Sequence, residues 1–182
     1  RVDHNALRDT VAEIFEHVNV PSKDARQAAD VLVSADLRGV ETHGVSNMLR
    51  IYVGEYRRGQ INPRPNYDVL RETRATANMN SDGALGIIAT PYAMDMAISK
   101  AKDVGVGMVT ISNGRHLGMA SYYPMMALKH DMIGVCVTSC GPSVVPTYGA
   151  LPRLGTNPIA VAAPAGIQPP FVFDAATSSI AA

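Results

Sequence analysis

"GVGMVTISNGRHLGMASYY", residues 105–123, decides what kind of fold this chain adopts. With Val104 in front, its first part, "VGVGMVTIS", is apolar and β-branched and reads as a buried strand. A short loop with two glycines follows and carries Asn113, Arg115 and His116. A helix is expected to open near Met119 and to span 119–130, rich in Met119, Met125 and Met126. Strand, loop and helix in that order are the local pattern of an α/β sheet. The glycines, however, stand in unusual places. Gly105 and Gly107 precede the strand, and position 110 is Thr, so the G-x-G-x-x-G dinucleotide fingerprint is absent. Neither a P-loop nor a G-x-S-x-G elbow occurs elsewhere. A dinucleotide bound here would not sit on a standard Rossmann turn.

The same alternation extends outward from this stretch. On its N-terminal side, residues 84–102 form an apolar-periodic helix ending in Lys100 and Lys102, cations that suit a helix C-terminus. Before it, "YDVLRET" and "ATANMN" read as two short strands around a turn. On the other side, "MIGVCVTS", "NPIAVAAPA" and "FVFDAAT" read as three more strands. The first 65 residues have a different character. A helix is expected over 3–18, a second capped by Ser22 and ended by Gly39 near Leu37, and a third capped by Ser46 and stopped by Gly59. "QINPRPN", at 60–66, is a Pro-rich connector. The expected organisation is a helical part over 1–65 and an α/β domain over 66–182.

Composition narrows the function classes. The chain has 182 residues, 47% hydrophobic and 18% charged, enough apolar matter for a packed core. Sixteen basic residues balance sixteen acidic ones, which argues against a nucleic-acid or anionic-membrane surface. No apolar run reaches the length of a membrane span, and "RVDHNALRDT" has no secretory-signal core. The absence of a starting Met leads us to expect numbering that begins inside a longer chain. The ending "FDAATSSIAA", just past a strand, leads us to expect an incomplete C-terminus. Cys136 and Cys140 would lie on one face of a strand but ~13 Å apart at ~3.3 Å per residue. A disulfide needs Cα atoms within about 7 Å, so two free thiols and a reducing, cytoplasmic compartment are expected. No second pair of ligands accompanies the two cysteines, so no metal site is expected.

Four stretches could carry chemistry. In "ETHGVSN", His43 lies on a corner beside Gly44, which would let a backbone or ligand approach closely. An imidazole suits proton transfer near neutral pH; Glu41 and Thr42 could orient it, and Arg50 could bind a carboxylate. The plainer reading is a capping or surface histidine. In "ISNGRHLGMASYY", an imidazole and a guanidinium stand where a strand ends, the place ligands gather in open α/β sheets, and the next helix start offers N–H groups to an anion. A structural turn with an incidental histidine is the alternative. The third stretch is the long loop "TSCGPSVVPTYGALPRLGTNPIAVAAP", which carries Ser139, Cys140, Thr156 and Asn157; loops of this length are usually functional, though a rigid structural loop reads equally well. The fourth is "FVFDAATSS", where Asp174 ends a strand ahead of Thr177, Ser178 and Ser179. These groups could bond ribose or phosphate oxygens, or cap a helix.

Taken together, "ADLRGVETHGVSNMLRIYVGEYRRGQINPRP", "GMVTISNGRHLGMASYYPMMA", "GPSVVPTYGALPRLGTNPIAVAAPA" and "FDAATSSIA" resemble, in order and over the whole chain, the malate/L-lactate dehydrogenase family of the non-Rossmann type. That family includes ureidoglycolate and sulfolactate dehydrogenases, 2,3-diketogulonate reductase and piperideine-2-carboxylate reductase. The resemblance implies an α/β fold in which a helical N-terminal part accompanies a non-Rossmann NAD(P)-binding domain. It implies a homodimer that uses NAD or NADP to interconvert a small 2-oxo acid and its 2-hydroxy acid, or a cyclic imine analogue. It implies that His43 is the acid/base and that His116 lines the same pocket; Arg50, Asn113 and Arg115 are the expected substrate-side residues read from their types. The D-x-A-T segment, Asp174, Ala175, Ala176 and Thr177, would touch the cofactor, with Ser139, Cys140, Thr156 and Asn157 as its wall. Many members carry an arginine four positions after the first histidine; here that residue is Asn47, and Arg50 follows three residues later. A non-catalytic small-ligand-binding protein is the reading outside the enzyme class.

Overall fold

The structure, a computed structural model, describes residues 2–178. The chain divides into two compact units, Arg1–Met119 and Ala120–Ala182.

In the first unit, helices α1 (His4–Glu16), α2 (Ser22–Leu37) and α3 (Val45–Arg57) form the helical layer expected from the 3–4 spacing of apolar residues. Asp3 caps α1, its Oδ1 accepting from the N–H groups of Asn5 and Ala6. The buried face of α2 is rich in small residues, Ala25, Ala28, Ala29 and Ala35 beside Val31 and Leu32. That lets α1, α3 and α4 (Gly86–Val104) all pack against it. Neither expected serine cap is one. Ser22 is already the first helical residue after an extended Pro21, and Ser46 lies inside α3 behind the cap position Gly44. Gly39 and Gly59 do follow their helices, with φ of +73° and +68°, the left-handed conformation glycine adopts without strain.

Strands β1 (Asp68–Glu72), β2 (Thr76–Asn80) and β3 (Met108–Ser112) form a three-stranded sheet in the order β1-β2-β3. β1 and β2 are the expected antiparallel pair; β2 and β3 run parallel, joined through α4. The expectation of a buried β3 fails. Its residues alternate between exposed and half-buried, because it edges a sheet that α4 covers on one face only. On that face Met79 packs with Ala84, Ala89 and Ala93, against Tyr67, Val109 and Ile111. α4 runs two residues past the expected end, to a left-handed Gly105.

The second unit holds α5 (Tyr122–Leu128), β4 (Gly134–Val137), β5 (Ile159–Ala163) and β6 (Phe171–Ala175). The strands form an antiparallel sheet in sequence order, with Val135, Val161 and Phe173 in register. α5 covers one face, burying Tyr123, Pro124 and Ala127 with Ala160 and Ala162. It is shorter than the expected helix over 119–130. Gly118 has a φ of +69°, and Ser121 is the cap, while Asp131 turns left-handed at the other end. β4 likewise stops at Val137, so Cys140 lies beyond the strand instead of on its face; both cysteines are free thiols. Among the described residues no helix is long and apolar enough to cross a membrane.

One contact fixes the loop after β3. Gly86 opens α4 against the backbone of residues 115–117, and a Cβ there would stand 2.5 Å from the Arg115 carbonyl oxygen and 2.7 Å from that of His116. Backbone cannot step aside as a side chain can. Gly86→Ala should therefore destabilise the protein by roughly 1–3 kcal/mol, the usual cost of overpacking, read as a lower urea midpoint at unchanged slope.

Candidate active site

Three short pieces of chain in the first unit meet around two imidazoles. His43 ends a single 3-10 turn, Glu41–His43, between α2 and α3. Its N–H donates to Val40 O at 3.0 Å, and the Thr42 hydroxyl bonds its Nδ1 at 2.9 Å. Thr42 thus orients the ring as expected; Glu41 contributes its carbonyl, which accepts from the Asn47 side chain at 2.8 Å. The glycine after the histidine has a reason of its own. A Cβ on the buried Gly44 would fall on the Asp36 carboxylate, whose Oδ2 accepts from the Val45 N–H at 3.0 Å. What approaches Gly44 closely is a side chain from α2, capping α3 in place of a serine.

His116 comes from the loop at the carboxyl end of β3. Its ring stacks on that of His43, centroids 5.4 Å apart and planes inclined by 20°. Behind it stands Tyr52, fully buried on α3, with its hydroxyl 2.6 Å from His116 Nδ1. The Gly118 N–H reaches the same nitrogen at 3.4 Å. A backbone N–H only donates, so Nδ1 accepts, and the proton of the neutral ring belongs on Nε2. Burial raises the Tyr52 pKa, so its hydroxyl keeps its proton and donates as well. Desolvation, then the neighbouring His43, lower the pKa of His116 to about 4. The residue as a whole is exposed to solvent, which weakens the shift without reversing its direction. Any value below the ordinary 6.5 leaves His116 neutral at pH 7.

The other expected substrate residues are not gathered at the pair. Arg115 is exposed and donates from Nε to the Gln60 carbonyl at 2.8 Å, tying its loop to the end of α3. Asn113, in a left-handed turn with φ of +55°, bonds the Asn80 side chain. Arg50 is exposed on α3 two residues before Tyr52, roughly 200° round the helix from the face that holds His116.

The expected cofactor residues collect at one end of the second sheet. The Cys140 N–H donates to Asn157 Oδ1 at 3.0 Å, and the Thr156 hydroxyl lies 3.3 Å from Cys140 Sγ. Thr177 donates to the Thr156 carbonyl through both its N–H and its hydroxyl, at 2.8 and 3.0 Å. Asn157 sits at a φ of +38°, a conformation non-glycine residues rarely hold. Ser139 is exposed, Ala175 half-buried and Ala176 exposed beside them. Asp174 has a structural partner: it accepts from the Ser121 N–H at 2.7 Å, at the start of α5. The N-terminus expected to hold an anion is thus already met by a carboxylate of the chain. Burial, then Asp174, push the Cys136 thiol up to about 11, so it is not a thiolate. Ser179 lies outside the described residues.

A neutral imidazole held at Nδ1 thus stacks on a second imidazole at the carboxyl end of a parallel strand pair. The model of the malate/L-lactate dehydrogenase family matches residues 2–182, and the chain belongs to that family. It is 43% identical over 180 residues to malate dehydrogenase from Pyrococcus horikoshii, covering 99% of this chain and 49% of that protein. A solved structure of malate dehydrogenase from that organism superposes with a TM-score of 0.95 at 42% identity, over 100% of this chain and 51% of the other. L-Sulfolactate dehydrogenase from Methanocaldococcus jannaschii is 41% identical over 171 residues, 94% of this chain and 49% of the relative. The delta1-piperideine-2-carboxylate reductase from Pseudomonas syringae has a TM-score of 0.91 at 26% identity, over 99% and 54% of the two chains. The chain spans about half the length of these proteins.

Tyr52 is the residue that sequence reasoning missed. Its signal was present: a tyrosine on the apolar face of an amphipathic helix must find a partner for its hydroxyl. Tyr52→Phe removes that partner. NMR titration should then place the His116 pKa higher than in the parent, nearer 6.5, because a bond to the neutral ring is lost. The depressed pKa has a second consequence. Between about pH 4 and the unfolded value near 6.5, the unfolded chain binds the extra proton, so stability falls as pH falls through that window. His116→Gln should remove that share of the slope in chemical-denaturation series run from pH 7 to pH 4.5.

Proposed function

We propose that the full-length protein is an NAD(P)-dependent oxidoreductase that interconverts a small 2-oxo acid and its 2-hydroxy acid. The observation that carries this reading is the imidazole pair, one ring held neutral and the other beside it. A carbonyl oxygen that gains negative charge during reduction needs a hydrogen-bond donor and then a proton. His116 supplies the first from Nε2–H, with Tyr52 fixing the tautomer. His43, as imidazolium, supplies the second; in the oxidative direction it takes the hydroxyl proton back. Two adjacent rings resist double protonation, so the pair carries one proton at a time. Arg115 and Arg50 are the guanidinium candidates for the carboxylate, Arg115 through the two terminal nitrogens that its bond to Gln60 leaves over, with Asn113 beside it.

The end of the second sheet fits a dinucleotide. It offers Ser139, Thr156, Asn157, Thr177 and the small residues Ala175 and Ala176, and Ser178 Oγ is buried without a hydrogen-bond partner among the described residues. These residues, with Cys140 and Asp174, would hold a nicotinamide cofactor, which supplies or removes the hydride when bound. The domain reading that accompanies this assigns residues 1–65 to substrate and dimer contacts and 66–182 to the first portion of the cofactor domain, in a homodimer of the cytoplasm.

A second reading keeps the site and changes the substrate to a cyclic imino acid. The similarity to the Pseudomonas syringae reductase favours it, and the same proton donor would serve a C=N bond.

The test is oxidation of NADH and NADPH by the full-length protein against pyruvate, oxaloacetate, a diketo sugar acid and a cyclic imino acid. Turnover with an oxo acid is expected. Turnover with the imine alone selects the second reading, and no turnover without cofactor binding returns the protein to the ligand-binding class. His43→Asn should lower kcat by roughly 10²–10⁴-fold, the usual worth of general acid catalysis, with cofactor affinity by fluorescence unchanged. Near-parental turnover in that variant removes His43 from the role.

A further inference from the structure

Both imidazoles depend on where α3 begins. His43 precedes its first residue by two positions, and Tyr52, which holds His116, lies seven residues into it. The start of α3 has no side-chain cap of its own, since the cap position is Gly44. Its first N–H, that of Val45, goes instead to Asp36 on the last turn of α2. The Asp36 carboxylate occupies the volume a Cβ on residue 44 would take, so the carboxylate and the glycine are a matched pair. The 3-10 turn that carries His43 is held on its other side by Val40 N–H to Ala35 O at 2.9 Å, again on α2. Every one of these bonds refers the turn to the end of α2.

We propose that Asp36 is a positioning residue: by capping α3 at Val45 over the bare Gly44, it sets His43 against His116. The inference rests on the proton-transfer reading of that pair. With the cap intact, the turn carrying His43 keeps a fixed spacing from Tyr52 on α3. Without it, the first turn of α3 frays, His43 leaves the stack, and His116 loses the neighbour and part of the cover that keep it neutral. The acceptor oxygen matters here, not the negative charge, because an amide carbonyl caps as a carboxylate does.

The test compares Asp36→Ala with Asp36→Asn in the full-length enzyme, reading kcat, KM and the His116 ring titration by NMR without substrate. Asp36→Ala should lower kcat at least tenfold with KM within about twofold, and the His116 titration should move up. Asp36→Asn should restore kcat to within a few-fold of the parent and return the titration to its place. A folded Asp36→Ala with parental kcat and an unmoved titration overturns the proposal, as does an Asp36→Asn as impaired as Asp36→Ala. If Asp36→Ala does not fold, Gly44→Ala pushes the same carboxylate off Val45 without removing it. A raised titration there supports the proposal and an unmoved one overturns it. The titration needs no turnover, so it answers for Asp36 even if His43 proves not to be the proton donor.

Discussion

The hydroxyl of Tyr52 and the Nδ1 of His116 meet across 64 residues of sequence. A phenol buried in a helical layer must bond something, and a histidine on an open loop must be held by something. One contact satisfies both requirements, and it ties the helical layer to the loop that follows the sheet. Gly86 supports it from below, since α4 rests directly on the backbone that carries His116. The site is therefore not a loop decorated with histidines. It is the junction of α2, α3, α4 and β3, with one imidazole from the turn before α3 and the other from the loop after β3.

The electrostatics follow from that construction. Holding His116 at Nδ1, desolvating its ring and stacking a second imidazole against it all disfavour its cation. A ring that stays neutral at pH 7 keeps a donor on Nε2. In the reading proposed above, the mobile proton then falls to His43, a division of roles between like groups that lets one site hold a donor and an acid together.

The second unit uses its polar residues differently. Asp174, Thr156, Asn157 and Thr177 all bond the chain's own backbone, joining the ends of β4, β5 and β6 and the start of α5. The same bonds that stiffen this end of the sheet leave Ser139, Cys140 and Ala176 exposed along it. Small residues on a cross-braced frame leave little of this end of the sheet free to rearrange.

Much of this was legible in the chain as written. Apolar spacing placed α1 to α4 to within a few residues, glycines marked the helix ends at Gly39 and Gly59, and the glycines ahead of β3 excluded a standard Rossmann turn. These are local properties, set by backbone sterics and by which face of an element is apolar, and a linear pattern records them. The family pattern likewise singled out both histidines. What the linear pattern did not record was partnership. Nothing near Gly44 announced that Asp36 would fill its missing side chain, nothing near Tyr52 pointed to residue 116, and nothing in "FVFDAAT" sent Asp174 to Ser121. Nor did a strand-like run of apolar residues reveal that β3 would be covered on one face only, or that Arg50 would face away from the pair. Those outcomes depend on which surfaces meet after the helices and strands have formed, and that is settled by packing among elements distant in sequence. The sequence alone determined the elements and the residue types available for chemistry; the tertiary structure decided what holds His116 and lowers its pKa, and which glycine is a gap made for a carboxylate.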